Sequence, residues 1–156
     1  MKAVLGLTLV TLALAGCATH SMIARTTTGP RPFGYTIAGD QVVFLFRPLD
    51  YAFMTRGPAN EWVPADSVRI DRVAVAGEFN RWSTDALPMA RAGDAWTTTR
   101  PIREFESERP PQFKFVINGQ FWAEPPAEAT NRAPAPDGSH VANLRLILNQ
   151  PPRTRR

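Results

Sequence analysis

The 156-residue chain has 18 basic and 14 acidic side chains and a formal charge of +4. Lys2 lies in the leader and Arg153, Arg155 and Arg156 lie in the last four positions, which leaves 14 basic residues against 14 acidic ones. A near-neutral body with a basic tail argues against a nucleic-acid partner, and fifteen prolines and ten glycines in a chain of single-domain length argue against long helices.

Met1-Lys2 supplies a positive charge, Ala3 to Ala13 is an apolar run, and Leu14-Ala15-Gly16-Cys17 follows. Residues 1–16 read as a secretory signal too short to span a bilayer. The tetrad resembles the lipobox of bacterial lipoproteins. That resemblance implies acylation of Cys17, a lipid-anchored position in the bacterial cell envelope, and, with Ala18 following, the outer membrane. Cutting at Ala13-Leu14-Ala15 would instead leave a secreted protein with a free thiol. Cys17 is the sole cysteine, so no internal disulfide is available. Residues 17–38 carry Thr, Pro, Gly and Arg with few large apolar side chains and read as a tether.

Gln41 to Arg47 is the first strand, with Val42, Phe44 and Phe46 on one face and Val43 and Leu45 on the other. Pro48 to Asp66 reads as a long loop or irregular hairpin, and Trp62 within it either covers an edge or extends a binding face, with packing favoured. Val68 to Ala76 is a second strand that runs into Gly77-Glu78-Phe79-Asn80-Arg81, a turn that delivers Trp82. Ala95 to Arg100 is a third strand, and Trp96 within it is read as core. Gln112 to Asn118 is a fourth, with Phe113, Phe115 and Ile117 on the face opposite Lys114. Asn118-Gly119 predicts a tight hairpin, because both residues tolerate positive φ. It leads through Phe121-Trp122 to a Pro-rich loop. Val141 to Leu148 is the last strand, with Leu144, Leu146 and Leu148 inward, and residues 150–156 form a basic tail. Residues 39–149 therefore read as one all-β domain, an immunoglobulin-like β-sandwich.

The segments Val73 to Trp82, Leu87-Pro88-Met89, Trp96, Phe113 to Val116, Asn118-Gly119, Glu124-Pro125 and Asp137-Gly138 followed by Asn143, in that order, resemble the glycogen- and starch-binding modules of branching and debranching enzymes and of the AMP-activated protein kinase β subunit. The resemblance spans Gln41 to Leu148 apart from the insertion between Pro48 and Ser67. It implies an early-set immunoglobulin-like sandwich that binds α-glucan on one face. It also places Phe121, rather than Trp122, at the family's second aromatic position. Where the family shows paired asparagines, this chain has Ala142-Asn143, so that contact passes to Asn143 or is missing.

The chemistry of the residues points the same way. Sugar rings have apolar faces and polar rims, so a binder needs flat aromatic surface beside donors and acceptors. Trp82 is the candidate platform, Lys114 the candidate donor, and Phe121 or Trp122 the second aromatic, with Asn143 beside them. Lys114 is the sole lysine after the leader, and a compact ammonium serves scattered hydroxyls better than a planar fork. His20 and His140 have no metal-ligand spacing, and no cofactor is expected. Nucleophile-elbow and phosphate-loop motifs are missing, which favours a non-catalytic carbohydrate-binding module. The alternative is an envelope structural or protein-interaction domain that keeps the sandwich and has lost the sugar site. The expected partners are a polysaccharide and, through the lipid, the membrane, with a protein partner open.

Overall fold

The computed structural model describes residues 31–135 and 137–148; Cys17, the leader and the basic tail lie outside them. Its strands are β1 (Tyr35–Ala38), β2 (Gln41–Phe46), β3 (Phe53–Arg56), β4 (Glu61–Pro64), β5 (Val73–Gly77), β6 (Ala90–Ala92), β7 (Ala95–Pro101), β8 (Gln112–Ile117), β9 (Phe121–Ala123), β10 (Arg132–Pro134) and β11 (Ala142–Arg145). They form two antiparallel sheets, and the protein is an all-β sandwich of immunoglobulin-like type. The smaller sheet has the order β1-β2-β7-β6; the larger runs β10-β11-β8-β9-β3-β4, with β5 also paired to β8.

The period-two pattern of the sequence decides which side chains lie between the sheets. On β2, Val42, Phe44 and Phe46 are fully buried, while Val43 and Leu45 are only partly so. On β8, Phe113, Phe115 and Ile117 face them. The core is a cluster of aromatic rings in edge-on and tilted contact: Phe44 meets Phe113 at 5.2 Å, and Phe46 meets Phe115 at 5.3 Å. Each buried Phe contributes about 1.5–3 kcal/mol of transfer free energy, so these rings are a main source of stability. Trp96 is partly buried against the cluster, as expected.

Four boundaries differ from the sequence reading. The expected tether to residue 38 ends in sheet, because Tyr35–Ala38 pairs with Gln41–Phe46 as β1. Tyr35 is 2% exposed and its hydroxyl both accepts from the Ile147 N–H and donates to the Ile147 carbonyl, which ties the two ends of the domain together. The stretch read as a loop or irregular hairpin contains a regular one, β3 with β4. The strand expected from Val68 starts at Val73. Ahead of it, the Asn118 side chain accepts from the N–H groups of Asp71 and Arg72 and donates to the Arg69 carbonyl, so a side chain replaces a ladder for that backbone. The last strand ends at Arg145, although Leu144 and Leu146 are buried and Leu148 packs against the core as expected.

Candidate functional site

Trp82 is positioned by a turn in which almost every residue has a structural task. Gly77 stands where β5 crosses β8 so closely that an added Cβ would lie 2.6 Å from the Gln112 carbonyl oxygen and 2.7 Å from the Phe79 ring. Backbone cannot move aside, so only glycine fits. Glu78 accepts from the Gln112 N–H at 3.0 Å and from Arg109, and Phe79 packs edge-on against Phe105 at 4.7 Å. Asn80 accepts from the Gly77 N–H and donates to the Val75 carbonyl. Arg81 and Trp82 then both take left-handed backbone, at φ 56° and 59°, and the Trp82 N–H donates to the Gly77 carbonyl at 2.8 Å. A left-handed conformation is unusual for so bulky a residue. Its effect is to turn the indole back over the outer face of the larger sheet.

Trp122 reaches the same place from β9. It opposes Val116 on β8 and Thr55 on β3, and its ring lies 6.3 Å from that of Trp82 at an interplanar angle of 56°. Alternation sends its neighbour Phe121 the other way, to pack against the core with the Arg56 guanidinium 5.9 Å from its ring centroid. Trp122 is therefore the aromatic on the Trp82 side, and Phe121 is removed from the set. The resemblance pointed to Phe121 by counting back from Glu124-Pro125; the side of the strand, not the count, decides.

Lys114 lies where the edge of β8 changes partner. Gln112 and Phe113 pair with β11, Val116 and Ile117 pair with β9, and the two partner strands part between them. The Glu124 carboxylate occupies this fork. It accepts from Lys114 Nζ at 2.9 Å, from the Ala142 N–H at 2.8 Å and from Arg132 at 3.1 Å. Lys114 and Glu124 are 4% and 5% exposed, so the lysine is a buried ion-pair member rather than a solvated strand lysine. Burial holds its ammonium below the ordinary lysine value, and the bond and charge of Glu124 oppose that shift. Asn143 projects beside it and donates to the Gln112 side chain at 2.8 Å. Ala142 is buried on the opposite side of β11, so it has no access to this face and Asn143 does.

Trp82, Lys114, Trp122 and Asn143 thus line one concavity of about 320 Å³, together with Thr55, Asn60, Ala135, Asp137 and Val141. Asp137 is exposed at its rim, and Ser139 beside it holds its carboxyl below the usual range. Thr55 and Asn60 were not singled out from the sequence, and Glu124 and Asp137 entered there only as parts of the resemblance, not as site residues. A lysine facing away from the core needs no counter-ion while it is solvated; the need for Glu124 arises from the burial of Lys114, which the sequence does not show. Two tilted indoles above an ammonium, amides and a carboxylate can stack an apolar ring face while bonding a polar rim. Comparison with family models and with curated proteins returns no match for this chain.

Proposed function

We propose that the chain is a non-catalytic, lipid-anchored carbohydrate-binding module that holds an α-glucan of glycogen or starch type. The observation that supports this reading is the Trp82–Trp122 ring pair at 6.3 Å, with Lys114 and Asn143 in the same concavity. Sugar rings would stack on the indoles, and hydroxyls would bond to Asn143, Asn60, Asp137 and whichever Lys114 proton Glu124 does not engage. Anchoring through Cys17 in the outer membrane belongs to the same proposal.

The test is electrophoresis through gels that contain glycogen or amylopectin. The wild-type chain is retarded, and Trp82→Ala and Trp122→Ala each weaken the interaction by about five- to tenfold, the scale of one lost aromatic contact. If the wild type migrates as a Trp82→Ala, Trp122→Ala double variant does, and neither is retarded, the sugar reading is wrong. The second reading, a protein-interaction or envelope structural domain, draws on Leu49, which is 94% exposed, and on the inward Ala142, where the resemblance has an asparagine.

A further inference from the structure

Residues directly opposed in an antiparallel pair project from the same face of a sheet. Thr55 of β3 is opposed by Trp122 on one side and by Trp62 of β4 on the other, so the two indoles stand on the same outer face with Thr55 between them. Thr55 is 1% exposed although it belongs to that face. Trp62 is 48% exposed and Phe53 47%, and their rings meet edge-on at 5.9 Å and 78°. Phe53 precedes Thr55 by two positions, so it lies on the same side. The expectation that Trp62 is a packing residue is therefore corrected: half of it faces solvent, on the site's own face.

The aromatic surface runs from Trp82 and Trp122 across β3 to the sheet edge. Trp62 lies two strand spacings from Trp122, about 10 Å, farther than one pyranose ring extends. The polar groups are continuous as well. Asn60, in the β3–β4 turn, lines the first concavity. Glu124, the partner of Lys114, also lines with Arg132 a second hollow of about 460 Å³ bordered by Phe53 and Trp62. A protein-binding patch has an apolar core depleted of charge. Here the aromatic plates are interrupted by the polar groups of Asn60, Asp137 and Arg132, while Leu49, Pro125 and Pro126 also border the second hollow, and rings set apart by polar groups suit a polymer of hydroxylated rings.

We infer that the β3–β4 hairpin adds a second subsite, Trp62 with Phe53 and Arg132, and that one polysaccharide chain lies across both subsites. The inference rests on the carbohydrate reading and adds to it a requirement for chain length. The experiment is calorimetric titration of the full chain with maltotriose and maltoheptaose. Wild type binds the longer sugar more tightly. Trp62→Ala weakens maltoheptaose by about fivefold and leaves maltotriose unchanged, Trp62→Tyr restores the longer sugar, and Trp82→Ala weakens both. If Trp62→Ala binds maltoheptaose as wild type does while Trp82→Ala is weak on both, the second subsite is refuted and the carbohydrate reading stands. Equal weakening of both sugars by Trp62→Ala also refutes it, since Trp62 would then serve the first subsite. A wild type that binds neither sugar overturns both.

Discussion

Trp82 and Lys114 both occupy positions that cost free energy. The left-handed backbone of a bulky residue costs on the order of 1–3 kcal/mol, and at Trp82 the Asn80 side-chain bonds and the Trp82 N–H bond to Gly77 hold it in place. Lys114 has to be desolvated, and Glu124 offsets that only while both partners remain. Lys114→Met should therefore lower stability by about 3 kcal/mol, read from the urea midpoint, with Arg132 and the Ala142 N–H still on Glu124. The sign of the pH dependence follows from the lowered lysine value. Between that value and the ordinary one, the unfolded chain holds the proton and the folded chain has lost it. The stability contribution of Lys114 therefore rises with pH in that interval, and Lys114→Met removes the rise. Lys114 and Trp82 were legible as candidates because alternation and a glycine turn mark where a side chain leaves the core. Glu124 was not, because its role depends on two strands parting along β8, a relation between segments distant in the chain. Phe121 and Trp122 stayed unresolved for a simpler reason: alternation separates neighbours without saying which one faces out.

At the scale of elements, the long strands were readable and the short ones were not. β2 and β8 carry enough alternating aromatic and branched residues for the period to show, whereas β6 and β10 are three residues each, shorter than one readable repeat. The β3–β4 hairpin was hidden by Gly57 and Pro58 in its turn and by Trp62 and Phe53 facing outward, which breaks the usual apolar-in pattern. β1 was hidden because it is four residues long and shows buried Tyr35 followed by exposed residues, so no alternation marks it despite strand-favouring side chains. A chain that starts at Arg31 should unfold cooperatively. One that starts at Gly39 lacks the Tyr35 contact with Phe113 at 6.0 Å, the Phe33 contact with Tyr51 at 5.4 Å and both Tyr35 bonds to Ile147. Loss of a buried aromatic costs about 3–5 kcal/mol, a large part of the 5–15 kcal/mol that holds a typical domain together. The shorter chain should melt well below the longer one or show no cooperative transition. Equal melting temperatures would place β1 outside the folding unit.

On the scale of the whole molecule, the proposed membrane attachment and the proposed ligand binding draw on separate parts of the chain. Every described residue that lines the concavity proposed to hold sugar lies between Thr55 and Asn143, while the lipobox resemblance ends at Cys17. Between Cys17 and Arg31 the chain spans at most about 50 Å when fully extended, which sets the farthest distance of the sandwich from an acylated Cys17. The concavity is lined by described residues well beyond that connection, so the two proposed functions should separate cleanly under mutation. Cys17→Ser should abolish incorporation of labelled palmitate and release the protein from the membrane fraction. Its retardation in a glycogen gel should match that of wild type, because Trp82, Trp122 and Lys114 are untouched. Palmitate labelling that persists in Cys17→Ser would remove the anchor from the proposal. Loss of glycogen binding in that variant would mean that the leader and the sandwich act together, against the division of the chain argued from its residues.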